Sequence, residues 1–510
     1  MYYKLITYTL KGLLPVKVDV EVDINTGMPG FEIVGLPDNS VKESKDRMRT
    51  AIKNSGYPFP ISKITINLAP ANLKKEGSLY DLGMTMAIMK CNKTIIPEIS
   101  NKYLFFGELA LDGSLRSSKQ LFPILCALTQ FPELEEYTCI VPIDSKSQVD
   151  CLCNDKILYA SNLTQVVNFV NNRGDELVRS STEQKTISKV ANTGDFSEIH
   201  GQERAKEAMI IAASGYHNLL LIGPPGSGKT LLSKSFPSLF PSLSFEEIIQ
   251  LTQLYSVAGL LPTNELMVQR PFRTPHHTIT AQALCGGGQD PRPGEISLAH
   301  LGILFLDELL EFSKRTLEIL RQPMESKEIT IARAKSNITY PADFLLIAST
   351  NPCPCGYYPD RDKCTCSLPA IRNYLNKLSG PLLDRIDLHI ETEPIDFSMF
   401  KENAKSISTD QMRDKINVGL ERQQHRFKDK KNYFNAHMNV KEINEFCKLA
   451  DPVNDLLTSW LEISKGSARS YHKILKIART IADVNDSAEI SEYHVSTAIQ
   501  YRSLDSNFYK

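Results

Sequence analysis

The sequence predicts an α/β protein: a parallel sheet covered by helices, with a separate α+β domain before it and an all-helical segment after it. Three observations predict this. Short, unbroken apolar runs recur between residues 196 and 395, at 219–223 (LLLIG), 303–308 (ILFLDE) and 344–350 (FLLIAST). Such runs suit central strands buried on both faces, and helical stretches separate them. The first run leads directly into GPPGSGKT at 223–230, a glycine-rich turn that opens a helix (LLSKSF). The last stretch, 396–510, is rich in helix formers and reads as a lid.

The 510 residues correspond to about three domains at roughly 150 residues each. The first domain is placed at 1–172. In it, VKVDVEVDI (16–24) alternates apolar and polar residues as a half-exposed strand does, and SVKESKDRMRTAIKNSG (40–56) runs from a capping serine to a glycine stop as a helix. ITINLAP (64–70) reads as a strand and YDLGMTMAIMKC (80–91) as a buried helix. LDGSLRSS, QLFPILCALTQ and YTCIVP then read as turn, helix and strand. Residues 173–195 are polar and Ser/Thr-rich, the composition of an exposed linker. The α/β core follows at 196–395 and the helical lid at 396–510.

Fifty-eight Lys and Arg against 59 Asp and Glu leave a net charge of −1, which excludes a histone-like basic protein and an acidic tail protein. Nucleic-acid binding would have to come from local basic stripes on a neutral whole. There is no apolar run of about 18 residues and no signal-peptide pattern at the start, so no membrane span is expected and the cytoplasm is the expected compartment. Eleven cysteines in so large a chain argue against a disulfide scaffold.

GPPGSGKT supplies Gly223, Pro224, Pro225, Gly226, Ser227, Gly228, Lys229 and Thr230. Its glycines let backbone N–H groups wrap phosphates, Lys229 would reach the β- and γ-phosphates, and the Thr230 hydroxyl would hold Mg²⁺. LFLDE sets Asp307 and Glu308 at the end of a buried strand, where charge is costly without work or partners. Asp307 suits the Mg²⁺ shell and Glu308 the polarisation of an attacking water. Asn351 ends the next apolar strand at the same sheet edge, placed to position water or the γ-phosphate; a turn-forming Asn before Pro352 is the plainer reading.

The ordered set GPPGSGKT, LFLDE, IASTNP, SGPLLDRIDLH and GSARSYHKILKIARTIAD resembles AAA+ ATPases. With TGMPGFEIVGLPDNSVKESKDR and INLAPANLKKEGSLYDL in the first domain, the chain is similar over nearly its whole length to the magnesium-chelatase-like ComM/YifB family. The resemblance implies a P-loop AAA+ core with a parallel sheet and helical lid, preceded by a Lon-protease-like (ribosomal S5 domain 2-like) domain. It implies adenine contacts at Ile199, His200 and Gly201. It assigns Arg385 to the ATP of a neighbouring subunit and Arg469 to nucleotide sensing by the lid. It further implies a hexameric ring, ATP and Mg²⁺ as cofactors, and helicase or branch-migration work on DNA during uptake and recombination. A magnesium-chelatase motor subunit and a protein-remodelling ATPase are the alternatives.

Three features remain open. The insert at about 255–300 carries Arg270, Arg273, His276, His277 and Arg292 with glycines 286–288, and reads either as a pore hairpin gripping a polymer or as a subunit-contact loop. Arg270, Arg273 and Arg292, with Lys42, Lys45, Arg47 and Arg49 of the first domain, are the DNA-contact candidates. Cys353, Cys355, Cys364 and Cys366 form two Cys-x-Cys pairs that could close a tetrahedral Zn²⁺ site, or be free or redox thiols, while Cys151 and Cys153 read as strand-face residues. In the first domain, Leu79 and Phe122 stand where peptidase relatives carry Ser and Lys, with Ser78 and Lys119 displaced. A non-peptidase platform for DNA or subunit contacts is expected there.

Overall fold

The first strand of the chain, β1 (Tyr2–Lys11), pairs antiparallel with β2 (Leu14–Asn25), whose alternating valines point inward. The sheet has the order β1-β2-β4-β3, with β4 (Lys63–Ala69) antiparallel to β2 and parallel to β3 (Gly30–Val34). Helix α1 (Asn39–Asn54) is capped by Asp38, and α2 (Asp81–Cys91) is buried along nearly its full length. A fully buried carboxylate, Asp81, begins α2. Burial raises its pKa, and Arg47 Nε (2.8 Å) and the Ser44 hydroxyl offset that cost. Arg47 is thereby a structural residue rather than a free basic contact, while Lys42, Lys45 and Arg49 are exposed.

The computed structural model describes residues 1–99, 102–131, 136–174, 176–181, 194–262, 264–288, 291–333, 336–394, 406–428, 430, 433–464 and 466–502. It divides into two compact units, Met1–Lys189 with Leu243–Val268, and Val190–Ser242 with Gln269–Lys510. No helix among the described residues is long and apolar enough to cross a membrane.

A second sheet completes the first unit, with strands Tyr103–Phe105, Thr138–Pro142 and Ile157–Ala160 in parallel and Val178–Arg179 antiparallel at its edge. That edge strand lies inside the stretch expected to be linker. Ser180 and Ser181 also tie it to Asp150, and residues 182–193 of the same stretch lie outside the described residues. Cys151 sits in a helical turn and Cys153 at positive φ, so neither is on a strand face. Ser78 donates to Glu108, Lys119 Nζ reaches Gly259 O at 3.5 Å, and Leu79 and Phe122 are core residues. Ser78 and Lys119 therefore have separate partners.

The segment Leu243–Val268 belongs to this first unit, although sequence order places it within the α/β core. Its helix Phe245–Ala258 carries a Ser244/Glu247 capping box, and Phe245, Ile249 and Leu266 pack onto the cluster of Tyr8, Leu125 and Val141. Gln253 donates to Leu13 O and Pro123 O, and Gln148 to Glu265 O.

The second unit is built on five parallel strands in the order Phe272–Arg273, Ile303–Leu306, Leu345–Thr350, Leu219–Ile222, Leu388–Glu391. The three central strands are buried at every residue, as their apolar runs require. The C-terminal helices include Thr409–Arg426, Asp451–Ser464, Ala468–Val484 and Glu492–Gln500. Arg426 and Asp483 form a two-pronged ion pair at 2.6 and 2.7 Å among them.

One buried carboxylate joins these helices to the sheet. Asp387 meets Lys473 Nζ at 2.7 Å, His217 Nδ1 at 3.5 Å and the Asn218 backbone N–H at 3.2 Å. Burial opposes its charge, but Lys473 and His217 outweigh that and hold its carboxyl well below the usual range. Asp387→Asn leaves the Lys473 ammonium uncompensated and is expected to cost about 3 kcal/mol at neutral pH. Because the folded state holds this proton affinity down, that stabilisation is full above about pH 4 and is lost as pH falls further. Urea unfolding of both proteins should show a gap that narrows on acidification.

Candidate functional site

The chain leaves the strand Leu219–Ile222 at Gly223 and enters the helix Lys229–Ser235 through GPPGSGKT. Gly226 (φ +79°) and Gly228 (φ +83°) are left-handed, and a Cβ on either would meet nothing within 4 Å, so the loop has open space there. Gly223 is the opposite case. A Cβ there would lie 2.1 Å from Thr392 Oγ1, which also hydrogen-bonds Ser227 Oγ at 2.8 Å.

Lys229 is buried, and its ammonium folds onto its own loop, donating to Gly223 O (2.7 Å) and Pro224 O (2.8 Å). Asn351 Oδ1 lies 3.4 Å from the same nitrogen. Desolvation lowers the Lys229 pKa, against the opposing charges of Asp307 and Glu308. Thr230 Oγ1 donates to Asp307 Oδ2 at 3.0 Å, and the Ser349 hydroxyl and the Glu308 backbone N–H donate to Asp307 Oδ1. Glu308 follows with a left-handed backbone (φ +53°) and an exposed carboxylate whose Oε2 is 3.7 Å from His277 Nδ1. A non-glycine residue held there stores strain of the kind that clusters at functional sites. The His276 and His277 rings lie 4.1 Å apart.

Ile199, His200 and Gly201 form a bend next to this loop. Ile199 O accepts from Lys206 Nζ at 2.6 Å and Ser406 Oγ at 2.8 Å, and Gly201 is left-handed. The bend hands over to Gln202, whose amide donates to Ser227 O (3.2 Å) and Glu393 O (2.7 Å).

Arg385 and Arg469 form a second group. Arg385 Nη2 donates to Glu325 Oε1 at 2.5 Å and its Nη1 to Pro381 O, and Arg469 Nη1 lies 3.9 Å from the same Glu325 oxygen. Gln202, Glu325, Ser349 and Thr392 all went unnoticed in the sequence. Ser349 alone had a signal, as the residue two positions before Asn351 on the same strand.

The four clustered cysteines bring their Sγ atoms within 4.8 Å of one another. A Tyr357 backbone N–H, with the neighbouring thiols, holds Cys355 down to about 6. The insert differs from expectation in its arginines. Arg273 makes a two-pronged pair with Glu295 (2.7 Å each), and Arg270 donates to Pro241 O (2.9 Å) and Leu301 O (2.7 Å). Both arginines therefore serve the local fold, and Arg292 is the exposed one.

Residues 195–399 match the family described as magnesium chelatase, subunit ChlI. Residues 20–144 match subunit ChlI of Mg-chelatase, and 406–502 the ChlI C-terminal region. Over 495 residues the chain is 41% identical to the protein YifB of Escherichia coli, covering 96% of this chain and 94% of the relative. It is 40% identical over 497 residues to the competence protein ComM of Haemophilus influenzae, again 96% and 94%. The chain belongs to the ComM/YifB family of magnesium-chelatase-like AAA+ proteins. The likeness to the magnesium-chelatase 38 kDa subunit of Cereibacter sphaeroides is narrower, 27% over 180 residues, or 31% of this chain and 52% of that subunit.

The Ser349 hydroxyl is one of three donors that orient Asp307, with Thr230 Oγ1 and the Glu308 N–H. On the reading that Asp307 holds Mg²⁺, Ser349→Ala is expected to raise the Mg²⁺ concentration needed for half-maximal nucleotide binding by about 10-fold. A Mg²⁺ titration with a fluorescent ATP analogue reads this directly.

Proposed function

We propose that the protein is a Mg²⁺-dependent ATP hydrolase that works as a hexameric ring and moves along DNA. The observation that carries the hydrolase reading is the meeting of Lys229, Thr230, Asp307, Glu308 and Asn351 at one sheet edge, over a loop with open space at Gly226 and Gly228. The P-loop amides and Lys229 bind the β- and γ-phosphates, with the bend at 199–201 against the adenine. Thr230 and Asp307 are the residues that would hold Mg²⁺, which neutralises charge on the phosphate oxygens. Glu308 is placed as the base for water, and Asn351 as a polar guide beside it.

Arg385 and Arg469 sit together on Glu325; we assign Arg385 to the ATP of the next subunit in the ring and Arg469 to nucleotide sensing by the lid. DNA as the polymer is supported by the 40% identity, across 96% of this chain, to a protein named for competence. A chelatase motor is less well supported, since the chelatase-subunit likeness covers only 31% of the chain. The four clustered thiols we assign to a structural Zn²⁺.

Glu308→Gln is expected to bind ATP as the wild type does while turnover falls by about 10²–10⁴. Arg385→Ala should bind nucleotide and lose hydrolysis by about 10³–10⁵. Mixing it with Lys229→Ala protein should restore part of the rate, because each supplies what the other lacks; a mixture no faster than its parts refutes action between subunits. ATP turnover with single-stranded, duplex and four-way-junction DNA tests the substrate. Stimulation that is lost in Lys229→Ala and falls steeply with salt supports DNA, and indifference to every DNA refutes it.

A further inference from the structure

We propose that the cysteine loop is a brace for the nucleotide site: Cys353, Cys355, Cys364 and Cys366 close around one Zn²⁺, and the closed loop holds Asn351 and the P-loop in place. The proposal rests on the nucleotide-site reading above.

The sulfur geometry suits a tetrahedral metal. Cys353 and Cys355 Sγ lie 3.4 Å apart, Cys355 and Cys364 3.6 Å, and Cys353 and Cys364 3.8 Å. Four thiolates at about 2.3 Å from a central Zn²⁺ sit about 3.8 Å from one another. All eleven cysteines are free thiols, so no disulfide competes for these four. The Tyr358 backbone N–H points at Cys353 Sγ at 3.4 Å, the outer contact that a metal-bound thiolate takes.

Besides the thiols, short-range contacts hold the loop, such as Cys364 N–H to Asp360 O and Arg361 Nη1 to Cys366 O. Between the strand ending at Thr350 and the helix Leu368–Leu375 there is neither helix nor strand. Its buried cluster consists of Cys353, Cys364 and Ile371, with only a few partly buried neighbours. A core that small does not fix a loop, and a metal that binds only the folded form does.

The loop touches the nucleotide site at two points. Cys353 is two residues beyond Asn351, whose Oδ1 faces Lys229 Nζ. Gly356 (φ +87°) lies against the P-loop itself: a Cβ there would be 2.5 Å from Pro225 Cδ and 3.8 Å from Asn351 Cγ. Only glycine lets the loop backbone approach Pro225 so closely. Closing the loop therefore sets the wall on which the P-loop and Asn351 rest.

The test measures metal content and nucleotide affinity separately on the full chain. Elemental analysis of wild-type protein should find one zinc per chain, and Co²⁺ exchanged into the site should give the absorption bands of tetrahedral thiolate cobalt. Cys366→Ser, at a partly exposed ligand, should lose the zinc and bind a fluorescent ATP analogue at least 10-fold more weakly. Gly356→Ala keeps all four cysteines, so it should retain its zinc yet show a similar loss of affinity. A wild type without zinc, or with iron in its place, overturns the metal site. A zinc-free Cys366→Ser that binds nucleotide as the wild type does overturns the brace. Should Cys366→Ser lose its cooperative melt, Gly356→Ala decides the coupling, and wild-type affinity there overturns it. A wild type that carries zinc but binds no nucleotide overturns the nucleotide-site reading and the brace with it, leaving the metal site in place.

Discussion

The parallel register of three strands is the constraint on which the site depends. Ile222 pairs with Thr350 and Leu306 with Ala348, so Gly223 stands beside Asn351 just past their strands, and Asp307, just past its own, stands beside Ser349. The Ser349–Asp307 hydrogen bond and the approach of Asn351 to Lys229 follow directly from that register. A slip of one residue would turn each of these side chains to the opposite face of the sheet. The strands resist such a slip because every residue of 219–222, 303–306 and 345–350 is buried between neighbours. The hydrophobic core thus sets the positions of polar groups that contribute nothing to it.

Those polar groups satisfy one another in the isolated chain. Lys229 gives its protons to loop carbonyls, and Asp307 accepts from Thr230, Ser349 and the Glu308 backbone. An unpaired buried charge would be costly, so the site holds its charges ready by internal pairing. On the proposed reading, a phosphate would have to replace Gly223 O and Pro224 O around the Lys229 ammonium.

What the sequence made legible follows from contiguity. The phosphate loop, LFLDE and Asn351 each lie at the end of an apolar run, so strand and chemistry could be read together. Gln202, Thr392 and Glu325 act through contacts with residues far along the chain, which carry no local pattern. The same reason hid the place of Leu243–Val268. Its helix is amphipathic wherever it packs, and only the tertiary contacts of Phe245, Ile249 and Leu266 show that it belongs with the first unit. Arg270 and Arg273 misled in the other direction: basic residues beside glycines suggest a ligand surface, yet Glu295 and two backbone carbonyls already occupy them. The edge strand Val178–Arg179 is too short to stand out from polar sequence.

The helix Ala468–Val484 and the end of the sheet are linked by two parallel ties. Arg385 and Asp387 lie two residues apart, and Arg469 and Lys473 lie one turn apart on the helix Ala468–Val484. Asp387 holds Lys473 directly, while Arg385 and Arg469 meet through Glu325. The first tie is buried, so little water screens it, and it fastens the helix Ala468–Val484 to the start of the strand Leu388–Glu391. The second is partly exposed, and ion pairs of that kind contribute only about 0–1 kcal/mol. Glu325 therefore gathers the two guanidinium groups through contacts that water and salt screen.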